Sequence, residues 1–316
     1  MISASGLAAQ FTELVLAMLL APLLTGWVNQ CRAWLQSRSA PPILQPYYVL
    51  AKLFRKDVVL AHNASPLFRA APYVILGVIA LAAAVVPTLG TDLPMNAAAD
   101  AIALVGLLAM ARLFIALAAM DVGTAFGTLG ARREMLVGFL AEPALLMVLF
   151  TASLISNSTS LATIVETLAH KELVIYPSMA FAGVAFTMVS LAENARIPVD
   201  NPATHLELTM IHEAMLLEYS GRHLALMEWA ASLKLFVYSG IGLALFFPWG
   251  VAGGGDAIGI VLALPVLILK LAIGGALLAL IEMLSAKMRI FRAPEFLGIA
   301  FLLGVLSMLL HVLLER

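Results

Sequence analysis

Eight stretches of mostly apolar residues recur along the chain, separated by shorter polar segments. They run approximately over residues 8–28, 71–89, 101–120, 135–156, 174–191, 229–249, 258–282 and 294–313. About 20 apolar residues in a helix match the roughly 30 Å hydrocarbon core of a bilayer. In lipid each backbone polar group must be satisfied within the segment, so such stretches fold as helices. Only 12% of the residues are charged and 62% are hydrophobic, against roughly 25% charged in a soluble domain. The sequence therefore predicts an all-α polytopic membrane protein, a single integral domain over 1–316 with eight transmembrane helices and the lipid bilayer as its surroundings. A soluble enzyme, a nucleic-acid binder and a disordered chain are excluded. The fifth stretch is the weakest, being short and containing Pro177.

The first stretch has no basic residues before it and is too long for the apolar part of a signal peptide, so it reads as a retained span. Orientation follows from the placement of Lys and Arg. The loops after the first, third, fifth and seventh spans hold 13 of the 18 basic residues, and Lys171 and Arg316 alone lie on the other side. Those four loops are expected in the cytoplasm, with both termini outside and localisation in the cytoplasmic (inner) membrane. The two long loops, 30–69 and 193–228, are both on that side, so functional surface is expected there.

The second long loop is acidic. Glu193, Asp200, Glu207, Glu213 and Glu218 fall within 26 residues. Asp200 or Asn201 followed by Pro202 reads as a helix start, and Ala203–Tyr219 as helix, with Gly221 as its stop. On that helix Glu207 and Glu218 share one face, and His205 and His212 another. Carboxylates along a semi-buried segment raise one another's pKa and can pass protons. A solvated acidic helix is the alternative for any one of them.

Ionisable residues inside spans are costly and need a partner or a role. Arg112, Glu142 and Lys270 lie within apolar stretches, and an Arg112–Glu142 pair is the simplest neutralising arrangement. Glu13, Lys234 and Glu282 lie nearer span ends, where snorkelling to the interface is the plain expectation. The single cysteine, Cys31, excludes an internal disulfide and a cysteine-built iron–sulfur or zinc site. No phosphate-binding glycine loop, nucleophile elbow or zinc pattern is present, so the chain carries no self-contained catalyst and no metal site.

Several motifs resemble one family. The stretch AENARIPVD followed by EYSG resembles the signature loop of the membrane subunit that carries the quinone chamber of respiratory complex I. LQPYYVLAKLFRKD at 44–57 resembles that family's first cytoplasmic loop, and RLFIALAAMDVGTAFGTLGARRE at 112–134 its approach to the fourth span. The run VDNPATHLELTMIHEAMLLEYSG and the Glu142–Pro143 pair are more similar to the homologous subunit of group 4 nickel–iron hydrogenases and formate hydrogenlyases. Ala203 and His205 stand where the complex I branch has carboxylates, and SAPP at 39–42 replaces a Gly-Pro element.

The resemblance implies a non-catalytic membrane-anchoring subunit of an oxidoreductase complex, coupling electron transfer to ion translocation. Soluble hydrogenase-like large and small subunits would dock on the cytoplasmic face, beside antiporter-like membrane subunits. The Ni-Fe centre and iron-sulfur clusters would lie in those partners, with no cofactor in this chain. Glu142, Glu193, Asp200, Glu207, Glu213 and Glu218 are the expected proton pathway. Arg112, Arg132, Arg196, His205, Lys234 and Lys270 are its expected charge partners. A quinone-binding subunit of an NADH dehydrogenase remains the alternative.

Overall fold

Residues flanking the apolar stretches set where each helix begins and ends. The computed structural model describes residues 4–91, 95, 100–170, 176–200, 210–252 and 257–314. The helices are α1 (Ala4–Leu35), α2 (Gln45–Phe54), α3 (Pro66–Val85), α4 (Ala101–Asp121), α5 (Ala125–Ser156), α6 (Leu161–His170), α7 (Pro177–Glu193), α8 (His212–Leu216), α9 (Gly221–Phe246), α10 (Ala257–Leu284) and α11 (Ala293–Leu314). Among the described residues there is no strand, only two isolated bridges, Gly90 with Ala252 and Asp100 with Ser160.

Ser65 caps α3 by accepting from the Leu67 N–H, with Pro66 in the first turn. Asp100 caps α4 and Thr124 caps α5 in the same way. These side chains satisfy N–H groups that the helix leaves unpaired. Asn157, at φ 53, ends α5 in the left-handed conformation.

Seven helices or helix segments among the described residues are long and apolar enough to cross a membrane: Gln10–Leu35 of α1, then α3, α4, α5, α9, Leu262–Leu284 of α10, and α11. The stretch expected as the fifth span is α7, a shorter apolar helix of 17 residues. Pro177 opens this helix instead of lying inside it, because proline suits a first turn and not an interior. At 1.5 Å per residue α7 is about 25 Å long.

Two helices extend well beyond the apolar runs. α5 starts at Ala125, ten residues before the expected span, and α9 starts at Gly221, eight before. α5 packs against α4, α7, α8 and α11, whereas α9 packs against α1 and α3. The hydroxyl of Ser307 on α11 donates to the Ser178 carbonyl and lies 3.2 Å from the Thr151 hydroxyl, joining α11, α7 and α5. Buried polar links of this kind hold helices together where lipid removes the hydrophobic drive.

The four basic loops meet on one side. Asp121 accepts from the Ser65 N–H at 2.9 Å. The Met288 N–H donates to the Pro198 carbonyl at 3.0 Å. The EYSG segment is the clamp between the two long loops. Ser220 Oγ donates to the Val59 carbonyl and accepts from the Val59 N–H, both at 2.8 Å. Tyr219 stacks on Phe68 at 4.1 Å and donates to its carbonyl.

Gly221 sits at φ +52, and a Cβ there would lie 2.7 Å from the Asp57 oxygen and 2.9 Å from the Lys56 oxygen. A side chain is therefore strained twice, by conformation and by contact. Gly221→Ala is expected to destabilise the folded state by about 1–3 kcal/mol. A thermal unfolding midpoint in detergent equal to that of the native chain would rule this role out.

The expected helix over Ala203–Tyr219 is corrected where it is described. Only His212–Leu216 is helical, Met210 and Ile211 are not, and Leu217–Glu218 form a turn. Asp200, expected to cap a helix starting beside it, instead accepts from the N–H groups of Ile211 and His212, 3.3 and 3.1 Å away, at the start of α8. The carboxylate finds its donors across a loop, which sequence distance does not reveal. His205 and Glu207 lie outside the described residues.

Candidate functional site: a buried charge cluster

Arg112 is the centre of the site. It projects from the middle of α4 and is 4% exposed. Its Nε lies 3.2 Å from Glu134 Oε1, its Nη1 2.7 Å from Glu142 Oε1, and its Nη2 pairs with Glu193 Oε1. Lys234 of α9 pairs with the other oxygen of Glu193 at 2.9 Å. Tyr238, one turn further along α9 and fully buried, lies close to Glu193.

The spacing on α5 explains the grip on Arg112. Glu134, Gly138 and Glu142 are four residues apart, so they line one stripe of the helix. A Cβ on Gly138 would collide with the Arg112 guanidinium, lying 2.7 Å from its Cδ and 2.9 Å from its Cζ. Glycine leaves the space into which the guanidinium lies, and the two glutamates close on it from either side.

Two cations thus face three carboxylates, which leaves one negative charge in excess within these ion pairs. A charge without compensation in a low-dielectric interior is expensive. Uptake of one proton makes the group neutral. The three carboxylates are not equally enclosed. The Glu193 and Glu134 side chains are 2% and 11% exposed, whereas that of Glu142 is 32% exposed. Glu142 is therefore the open end of the cluster.

Of the expected site residues, the structure brings together Arg112, Glu142, Glu193 and Lys234. The pair Arg112–Glu142 forms as the simplest neutralising arrangement implies. Lys234 does not snorkel, because Glu193 holds it inside the bundle. Asp200 is buried at the start of α8 and acts on backbone N–H groups there. Glu213 lies on α8 and Glu218 in the turn after it, both half-buried.

Arg196 and Lys270 belong elsewhere. Arg196 pairs with the fully buried Glu282 at 3.1 Å, and Arg32 lies 3.6 Å from the same carboxylate. Burial pushes the Arg196 guanidinium pKa down, Glu282 raises it and Arg32 lowers it again. Lys270 donates to the carbonyls of Phe247, at 2.6 Å, and Trp249, at the C-terminal end of α9. A cation at that end satisfies carbonyls the helix leaves open. Arg132 is exposed on α5, while its neighbour Arg133 donates to the Met210 carbonyl at 2.8 Å. Glu13, also expected near an interface, is 4% exposed and accepts from the Thr88 and Leu89 N–H groups.

Sequence reading missed Glu134 as a site residue, because the apolar run starts just after it. The usable signal was the Glu-x₃-Gly-x₃-Glu spacing at Glu134, Gly138 and Glu142. Tyr238 was missed as an ordinary aromatic in a span; its offset of four from Lys234 was the available sign. Among the described residues no group of three or more His, Cys, Asp or Glu is arranged to hold a metal ion.

A helical membrane subunit with a chain of charges buried between its helices is the class of protein that this fold and cluster define. Residues 9–313 match the family described as NADH dehydrogenase, and the chain belongs to that family. It is 34% identical to formate hydrogenlyase subunit 4 of Escherichia coli (strain K12), over 89% of this chain and 92% of that protein. It is 33% identical to hydrogenase-4 component C of the same organism, over 93% of this chain and 92% of that protein. Its fold matches a chain in the structure of the membrane-bound sulfane sulfur reductase, an archaeal respiratory membrane complex. The TM-score is 0.81 at 20% identity, covering 96% of this chain and 98% of that one.

Proposed function

We propose that this chain is the membrane-anchoring subunit of an energy-converting hydrogenase or formate hydrogenlyase complex, and that its buried cluster handles the protons that couple electron transfer to ion translocation. The observation that carries this reading is the cluster of Arg112, Lys234, Glu134, Glu142 and Glu193, with one negative charge in excess inside the bundle. A purely structural ion pair needs one carboxylate per cation. A third carboxylate, partly open at Glu142, suits a group that gains and loses a proton.

Two relatives are by name components of a formate hydrogenlyase and of a hydrogenase. On this reading soluble subunits with the Ni-Fe centre and iron-sulfur clusters dock on the basic side. That side faces the cytoplasm, α7 completes an eighth crossing, and both termini lie outside. Antiporter-like subunits flank the bundle in the same inner membrane. Asp200 organises the docking loop, and Arg196 with Glu282 ties that loop to α10.

Purification from the native membrane tests the reading. The chain is expected to come out with subunits that carry nickel and iron–sulfur clusters, identified by mass spectrometry and metal analysis. Recovery alone, or with partners that hold neither, would overturn it. The description of the matching family supports a second reading, a quinone-binding subunit of an NADH dehydrogenase. Bound quinone together with quinone reduction by the purified complex would favour that one.

A further inference from the structure

A small cavity of about 40 Å³ joins the cytoplasmic loop to the charge cluster. Arg112, Glu134 and Lys234 line it from α4, α5 and α9, and His212 lines it from α8. The remaining wall is apolar, including Ile75 and Ile115. Its volume exceeds the roughly 10–15 Å³ a cavity needs to hold a water, and its polar wall suits one.

His212 is held at this place by several independent contacts. The buried Asp200 carboxylate accepts from its backbone N–H. Arg133 fixes the preceding Met210 carbonyl. Gly130 of α5 lets α8 approach closely, since a Cβ there would lie 2.9 Å from the Ile211 oxygen and 3.0 Å from the Ala214 Cβ. Burial pushes the pKa of the imidazole down; Glu134 and Asp200 raise it, and Lys234 lowers it. The ring is thus neutral near pH 7, with one nitrogen free to accept and the other carrying a proton.

We propose that His212 carries protons between the cytoplasmic loop and the buried cluster, by way of Glu134. The proposal rests on the reading that this cluster handles protons. The neutral ring takes a proton at one nitrogen and becomes imidazolium. The other nitrogen gives its proton through the cavity to the Glu134 carboxylate, which becomes the neutral acid. The ring is left neutral in the opposite tautomer, and a ring turn or proton exchange resets it. No electron moves and charge is conserved.

The test uses the whole complex in sealed vesicles and reads ions translocated per electron pair across pH. His212→Gln keeps size and polarity but cannot relay. It is expected to lower coupled translocation at least tenfold, the scale of a positioned proton-transfer group being roughly 10²–10⁴-fold. His212→Ala is expected to lose coupling similarly and to regain part of it with added imidazole, with a pH profile that follows the added base. A structural role would give neither the rescue nor the new profile. Native coupling and an unchanged pH profile in His212→Gln would overturn the proposal. So would a defect in His212→Ala that imidazole leaves untouched while Glu142→Gln is uncoupled. If Glu142→Gln and Glu134→Gln also couple normally, the cluster reading falls and His212 with it.

Discussion

Arg112→Met should cost the folded bundle about 3–5 kcal/mol, the range for removing one partner of a buried ion pair. Methionine fills much of the arginine stem and adds no charge, so packing loss is kept small. What remains is Lys234 alone against Glu134, Glu142 and Glu193. The excess negative charge doubles, and the donors that satisfied three carboxylates disappear. A loss of this size is a large share of the stability of most folded proteins. The expected result is poor accumulation in the membrane and a much lower unfolding midpoint in detergent.

The double variant Arg112→Met with Glu193→Gln should recover part of the loss, because it removes one of the unpaired charges. Such a cycle separates coupling between neighbours from general damage. If the two substitutions are simply additive, Arg112 is not the shared partner of these carboxylates.

Glu142→Gln should leave the complex assembled yet lower coupled ion translocation by roughly 10²-fold or more. Glutamine still offers an oxygen to Arg112, and a third of the side chain is exposed, so folding tolerates the loss of charge. Function should not tolerate it. With one carboxylate gone, two cations face two carboxylates and no excess charge remains to draw a proton. The amide also cannot bind and release one. Glu142→Asp keeps the acid and should retain part of the coupling. Native translocation by Glu142→Gln in sealed vesicles would make this residue a structural partner of Arg112 only.

Much of this site was legible in the chain. Arg112 and Glu142 were visible because a charge in an apolar run has no inexpensive explanation, whereas Lys234, nearer a span end, was expected to snorkel. Glu193 stood out as the first carboxylate of the acidic loop. Glu134 was hidden because it sits just outside the apolar run, and only the extension of α5 back to Ala125 puts it beside Arg112. Lys270 and Arg196 were expected, like Lys234, to be charge partners of the proton pathway. Their neighbours separate them, with backbone carbonyls around Lys270 and Glu282 beside Arg196. The acidic loop was read as one helix from propensity, yet Asp200 reaches across it to α8. Local propensity is a weak guide where a buried carboxylate can find donors at long range.

By itself the sequence determined the medium, the helical form and the side on which positive charge collects. Those follow from hydrophobic length and charge count, which are properties of segments. Beyond the Arg112–Glu142 pair, tertiary structure decided which charges meet. Ion pairing depends on distances of about 3 Å between side chains on different helices, and the order of residues along one helix does not state which face of which neighbour it will meet. The same packing decided that three carboxylates share Arg112 across the space left by Gly138, and that His212 reaches the cavity beside them.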